Sequence, residues 1–217
     1  MGRLRAILRR STTSREMPVL APTSAVLLAI AVMVFVVSCD RSGHPDGVTT
    51  LPSDFPDIEV DSLEHTSGEL GDLLEDSVTL LMFGFTHCAD ACPSTLARIG
   101  AAIADLSPGS RDQVNVLFVS VDPNRDDVDA LQRYVSPFGE SFLGATAPRV
   151  KLENMTRRHG LSFSYGDGYP DGSYRVDHPL SVLVFDADGT ASMLLQPSVL
   201  EPAAITGAVE HLIAEGR

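Results

Sequence analysis

Charged residues are absent from Met17 through Cys39, although 21% of the whole chain is charged. Residues 1–16 precede this gap with five arginines and a single acid, Glu16. Between Ala25 and Val37 the residues are almost all Ala, Val, Leu, Ile, Met or Phe. A basic region followed by an apolar region and small residues is typical of an export signal. We therefore expect the rest of the chain to act outside the cytoplasm.

The apolar segment ends in Val36-Val37-Ser38-Cys39, which resembles a bacterial lipobox. In a lipobox the cysteine, here Cys39, is lipidated and becomes the mature N-terminus. The alternative is an uncleaved anchor, because a charge-free stretch of 23 residues is just long enough to span a bilayer. Either tether would hold the exported domain at the outer face of the bacterial cytoplasmic membrane. The predicted organisation is a leader or anchor (1–39), a flexible tether (40–54) and a folded domain (55–217).

Basic residues are scarce in the exported part of the chain. Residues 1–38 hold five basic residues and one acidic residue, of 16 and 29 in all, which leaves 11 basic and 28 acidic residues, a net charge of −17. Such a charge excludes nucleic acid and anionic membrane surfaces as partners of the folded domain.

Cysteine is also scarce, with three residues in the whole chain. If Cys39 is lipidated, only Cys88 and Cys92 remain, in the segment "FGFTHCADACPS". A structural disulfide stabilises most when it closes a long loop, and a bridge between residues four apart restrains very little. We therefore expect this pair to serve chemistry, as a redox couple or as metal ligands.

The apolar runs Val78–Phe85 and Val114–Val121 predict two buried strands, and Pro93–Leu106 predicts a helix between them. This βαβ unit makes the two strands parallel. The other predicted elements are a short strand at Phe55–Val60, helices at Asp126–Tyr134, Arg149–His159 and Glu201–Glu215, and a hairpin of Val182–Phe185 and Ser192–Leu195. Together they indicate an α/β fold, a mixed sheet with helices on both faces.

The cysteines follow the carboxyl end of a strand, which is where open α/β sheets bind ligands. A helix N-terminus favours thiolate over thiol, and two thiolates suit soft ions such as Cu(I), Zn(II) or an iron–sulfur cluster. A third ligand would have to come from elsewhere in the chain. The candidates are His44, His65, His87, His159, His178 and His211.

His178 stands out because it lies in "YRVDHPLSVLVF", directly before a buried strand. Its alternative is a loop histidine satisfied by hydrogen bonds. Asp122 follows the second strand at the same sheet edge, where it could hold a ligand in place or organise the turn before Pro123. Asp177 could support His178 or cap its loop.

Three segments in this order, "FGFTHCADACPSTL", "VSVDPNRD" and "VDHPLSVLVFDADG", resemble the Sco (SenC-like) family of copper chaperones. The resemblance runs from about Phe55 to the C-terminus. It implies a thioredoxin-like fold with an inserted loop or hairpin near residues 166–174, and copper bound by Cys88, Cys92 and His178. It also implies assembly of the dinuclear copper site of cytochrome c oxidase subunit II, with an upstream copper donor or thiol reductant as a further partner.

The leading hypothesis is thus a membrane-tethered metallochaperone for Cu(I) or Cu(II) rather than an enzyme. The alternative is a thiol–disulfide oxidoreductase in which Cys88 and Cys92 alternate between dithiol and disulfide and reduce the client's copper-ligand cysteines. Three intervening residues argue mildly against this, because redox pairs of this fold usually have two. A peroxide-reducing enzyme and a copper sensor have no sequence feature in their favour.

Overall fold

The long apolar runs of the chain form the middle of a mixed sheet. The computed structural model describes residues 47–57, 59–60, 63–65, 71, 74–170 and 172–216. The strands are β1 (Val48–Thr50), β2 (Glu64–His65), β3 (Val78–Gly84), β4 (Val114–Ser120), β5 (Phe142–Thr146), β6 (Ser164–Gly168), β7 (Tyr174–Asp177), β8 (Val182–Phe185) and β9 (Ala191–Leu195). The helices are α1 (Ala91–Asp105), α2 (Pro108–Arg111), α3 (Val128–Val135), α4 (Arg149–Arg158) and α5 (Pro202–Glu215).

Within the described residues, seven strands form one sheet in the order β1-β9-β8-β3-β4-β5-β2. β3, β4 and β5 are parallel, whereas β8 runs antiparallel to β3, and β9 to β8. Every residue of β3 is buried, as expected for a central strand that is covered on both faces. The predicted βαβ unit and the mixed α/β sheet are confirmed.

The sheet has a hydrophobic core on each face. On one face, residues such as Met82 and Phe118 pack against α1, α3 and α5. On the other face, residues such as Phe83 and Val119 pack against α4. The alternation follows from the period of two along a strand. Both cysteines follow the carboxyl end of β3, at the same edge of the sheet as the carboxyl end of the parallel strand β4.

The tether prediction is wrong for part of its length. Val48–Thr50 pairs with Met193–Leu195 of β9, so the folded domain begins before residue 55. Three residues are too few to show a strand period, which is why composition alone suggested a linker. In Phe55–Val60 the described residues form no strand, because Pro56 has no N–H to donate to a sheet. Strand β5, with two small residues among five, had no apolar run to reveal it.

The predicted insertion is a hairpin. β6 and β7 form a separate antiparallel pair that begins with Ser164 opposite Asp177. This pair connects α4 to the segment that carries His178, so it lies beside this predicted metal ligand. Cys39 and the leader lie outside the described residues.

Candidate metal centre

The two cysteines lie between the end of β3 at Gly84 and the first turn of α1. Cys88 N–H donates to the Phe85 carbonyl at 3.1 Å, which closes a turn, and Cys92 N–H points to Cys88 Sγ at 3.4 Å. Both are free thiols; Cys92 is fully buried and Cys88 is half-buried. Cys88 is therefore the member of the pair that a second molecule can reach.

Gly84 provides the space that Cys92 fills. A Cβ on Gly84 would lie 2.6 Å from Cys92 Sγ and 2.5 Å from Phe118 Cε2, closer than real Cβ contacts. Only glycine leaves room for a sulfur and an aromatic ring against the last residue of the strand. The sulfur is thus held between the sheet and α1.

His178 completes a group of three ligands. Its Nε2 lies 3.6 Å from Cys92 Sγ, and its Nδ1 lies 2.9 Å from the Pro179 carbonyl and 3.2 Å from the Phe83 carbonyl. Because these carbonyls can only accept, Nδ1 carries the proton and Nε2 presents its lone pair to the sulfurs. The ligand atoms of Cys88, Cys92 and His178 all lie within 4.8 Å of one another, the only such group among the described residues.

Two thiol sulfurs and one imidazole nitrogen do not suit copper, zinc and iron–sulfur clusters, the three candidates from the sequence, equally well. A structural zinc site takes four protein ligands, and iron–sulfur clusters are usually held by four cysteines. Two sulfurs and one imidazole nitrogen suit copper, whose soft Cu(I) form prefers thiolate. The residues present therefore fit copper better than the other two.

Cys92 departs from the expectation of a ready thiolate. Burial raises the pKa of the Cys92 thiol well above its usual range, and the nearby Cys88 acts in the same direction. A backbone hydrogen bond from Phe85 lowers the pKa but does not compensate. At neutral pH Cys92 is therefore a thiol, and a metal ion that binds its sulfur displaces a proton.

Asp126 holds the loop before Cys88, and sequence reasoning missed it. Its buried carboxylate accepts hydrogen bonds from Thr86 N–H at 2.8 Å, Thr86 Oγ at 2.5 Å and Ser120 Oγ at 2.6 Å. His87 Nδ1 lies 3.6 Å from the same carboxylate. The available signal was the second aspartate of "VSVDPNRD", four residues after the Asp122 that we singled out.

Asp122 contacts the hairpin rather than a metal ligand. Its buried carboxylate accepts from Arg125 Nε and from Tyr174 Oη, each at 2.5 Å. The Arg125 guanidinium lies over the Tyr174 ring at 3.8 Å and over the Phe85 ring at 5.6 Å. Phe85 in turn packs edge-on against His178, with ring centroids 5.4 Å apart. Asp122 thus affects the site indirectly: it holds Arg125 over Phe85, and Phe85 packs against His178.

Asp177 lies beside His178 in sequence, but its exposed carboxylate faces Arg175, 3.6 Å from Nη2. Backbone carbonyls occupy Nδ1 of His178 instead.

The other described histidines lie apart from the sulfurs. His65 is in β2, His159 is buried between the carbonyls of Met155 and Pro56, and His211 lies 3.5 Å from Glu215 in α5. His87 is exposed, and His44 lies outside the described residues. Among the described histidines, His178 alone lies in one group with the two cysteines.

The SCO1/SenC family model matches residues 70–214, which include the three ligands. This chain belongs to the SCO1/SenC family. The resemblance noted in the sequence is confirmed, and with it the thioredoxin-like fold. None of the helices in the described part of this Sco-family chain is long and apolar enough to cross a membrane.

Individual relatives extend this finding. The chain is 39% identical over 112 residues to the mitochondrial SCO2 homologue of Danio rerio, a match that spans 51% of this chain and 40% of that protein. It resembles apo Sco1 of Thermus thermophilus with a TM-score of 0.64 and 31% identity, over 76% of this chain and 92% of that one. For Arabidopsis thaliana ScoI, solved with copper bound, the TM-score is 0.60 and the identity 28%, over 66% and 88% of the two chains.

Proposed function

We propose that this Sco-family protein is a copper chaperone whose cargo is held by Cys88, Cys92 and His178. The observation that carries the proposal is the convergence of three ligand atoms within 4.8 Å, with the lone pair of His178 Nε2 directed to Cys92. A Sco-family relative with copper bound supports the choice of metal. The ligand types agree, since two thiolates and an imidazole favour Cu(I) over harder ions.

The arrangement suits a carrier that must also release its metal. Cys92 is enclosed, whereas Cys88 and His178 are half-exposed, so a partner's ligands can approach from one side. Binding displaces the Cys92 proton, and reprotonation of this buried sulfur favours release. Oxidation of the pair to a disulfide would remove both sulfur ligands, which couples loading to the redox state.

The client is the dinuclear copper site of cytochrome c oxidase subunit II, and the copper comes from an upstream donor. The domain works at the outer face of the bacterial cytoplasmic membrane, tethered through lipidated Cys39 or an uncleaved anchor. The family resemblance and the charge pattern of residues 1–39 support this placement. Mass spectrometry of the protein from membranes tests it: acyl chains on an N-terminal Cys39 support lipidation, and an intact leader supports the anchor.

Anaerobic Cu(I) titration against a chromophoric chelator tests copper binding. Wild type should bind one Cu(I) tightly, and His178→Ala should weaken binding by at least about 100-fold, because changes outside the ligand set alone cost about 10–100-fold. His87→Ala is the matched control, since His87 is next to Cys88 but exposed. Equal affinity of wild type and His178→Ala would refute the proposed ligand set.

A thiol–disulfide oxidoreductase is the second candidate, favoured by one observation. The half-exposed Cys88 precedes the buried Cys92 by four positions and accepts from its N–H, as an attacking thiol lies close to its resolving partner. In that case Cys88→Ser should abolish reduction of a copper-ligand disulfide in the client, while His178→Ala should leave it intact. Cys92 would then be the resolving thiol, and its raised pKa slows that second step because a protonated thiol is a poor nucleophile.

A further inference from the structure

The hydroxyl of Tyr134 is a buried polar group with no hydrogen-bond partner among the described residues. Tyr134 lies near the end of α3, and neither the sequence motifs nor the three metal ligands account for it. Buried hydroxyls in folded proteins nearly always have a partner, and an unmet one calls for an explanation.

Its surroundings point to the cysteines. The Tyr134 ring packs on Phe118 with centroids 5.3 Å apart. Phe118 Cε2 and Cys92 Sγ in turn both lie within 2.6 Å of the place that a Cβ on Gly84 would take. Tyr134 therefore belongs to the aromatic layer beside Cys92, on the α3 side of the sheet.

The electrostatic surroundings of Tyr134 also indicate that its hydroxyl lies near the cysteines. Burial raises the pKa of Tyr134 above its usual range, and negative charge on Cys92, Cys88 and Asp126 adds to the effect, in that order. The hydroxyl therefore stays protonated as a donor. The Asp126 carboxylate already accepts three hydrogen bonds from Thr86 and Ser120, so the sulfurs have more unused acceptor capacity than this carboxylate.

We propose that Tyr134 is a positioning residue whose hydroxyl donates a hydrogen bond to the Cys92 thiolate when that sulfur binds a metal ion. The inference rests on the proposed metal site. A protonated thiol is a weak acceptor, so the hydroxyl gains little from it. A thiolate is a strong acceptor, and because the hydroxyl has no partner among the described residues, the bond forms when the loop or the ring moves to bring the two groups together.

The bond has two consequences. It stabilises the ligand form of Cys92 without occupying a coordination position. It also withdraws electron density from the sulfur, which raises the energy needed to transfer charge from sulfur to Cu(II). A purely structural tyrosine would have neither effect.

Tyr134→Phe in the full chain tests the proposal, because it keeps the ring and removes only the hydroxyl. The free energy of unfolding of the reduced, copper-free variant should equal or exceed that of wild type, since no hydrogen bond is lost. Cu(I) affinity should fall roughly tenfold, and the sulfur-to-Cu(II) absorption band should move to lower energy.

Tyr165→Phe is the matched control. It removes another partly buried hydroxyl, one that donates to the Val121 carbonyl and whose pKa is raised by burial and by the nearby Asp122. It should lower the free energy of unfolding and leave Cu(I) affinity and the absorption band unchanged.

Two results would overturn the assignment of Tyr134 alone: unchanged copper affinity and band in Tyr134→Phe, or destabilisation of the copper-free variant comparable to that of Tyr165→Phe. If wild type itself bound no copper through Cys88 and Cys92, the proposed function would fall, and the role of Tyr134 with it. The titration of wild type separates these cases.

Discussion

Cys92 Sγ and His178 Nε2 lie 3.6 Å apart although 86 residues separate them in the chain. The contact joins α1, which follows the central strand β3, to the segment that leads from the β6–β7 hairpin into β8. β3 and β8 are neighbours in the sheet, so the pairing of Leu80 with Val184 and its neighbours fixes the distance between these two ligands. The metal centre is therefore a product of sheet register.

Gly84 should be intolerant of even one methyl group. Gly84→Ala places a Cβ against Cys92 Sγ and Phe118, so we expect a loss of roughly 1–3 kcal/mol in unfolding free energy and weaker copper binding. Gly207→Ala is the control: it lies in α5 with open space around it, and should stabilise by about 0.5–1 kcal/mol. Denaturant unfolding measures both, and a neutral Gly84→Ala would contradict the packing described.

The Asp126 carboxylate should be more important than its distance from the metal suggests. In Asp126→Asn an amide NH2 group replaces one of the oxygens that accept from Thr86 and Ser120. We expect the free energy of unfolding to fall by roughly 2–3 kcal/mol, because buried donors lose a charged acceptor. Cu(I) affinity should also fall, because Thr86 no longer holds the loop of Cys88. Asp129→Asn, at an exposed position of α3, should change stability by less than about 0.5 kcal/mol. Equal behaviour of the two variants would exclude this role.

Copper binding should depend on pH because of the Cys92 proton. The pKa of Cys92 is raised by burial, so the thiol form persists across the neutral range and the metal must displace it. Apparent Cu(I) affinity should therefore rise at least about tenfold per pH unit between roughly pH 6 and 8. Chelator competition at several pH values measures the slope, and a flat profile would show that Cys92 is already a thiolate.

The same shift predicts the stability of the reduced, copper-free protein at high pH. A raised pKa in the folded state means that stability is complete below the pKa of an unfolded cysteine and declines as pH rises above it.

His159 should make the fold sensitive to acid. Burial lowers its pKa, so its contribution to stability is present above the unfolded value of about 6.5 and is lost as pH falls towards the folded value. Between about pH 7 and 5, His159→Gln should lose less unfolding free energy than wild type. His211→Gln, at an exposed position, should follow wild type. Parallel losses in wild type and His159→Gln would show that His159 does not titrate in this range.

Long, uniform patterns made the centre of the fold predictable. Val78–Phe85 and Val114–Val121 are apolar without interruption because both faces of β3 and β4 are covered, and α1 between them has a regular apolar face. The short edge strands β1 and β2 were not predictable, since two or three residues show no period. They form because the neighbouring strand offers unpaired backbone groups.

The proposed metal ligands were predictable from motifs, whereas the residues around them were not. Cys88, Cys92 and His178 are chemically distinctive, and their segments resemble those of a known family. Asp126 and Tyr134 are ordinary in sequence, and only the folded arrangement brings them to Thr86 and to the layer beside Cys92. Backbone carbonyls that orient His178 leave no trace in the sequence at all.

X-ray absorption at the copper edge, on the Cu(I)-loaded full chain and its His178→Ala variant, tests the central claim most directly. The account predicts two sulfur ligands and one nitrogen ligand in wild type, with the nitrogen lost in the variant and both sulfurs retained. Copper with no sulfur ligands, or the same nitrogen ligand in both proteins, would contradict a site built from Cys88, Cys92 and His178.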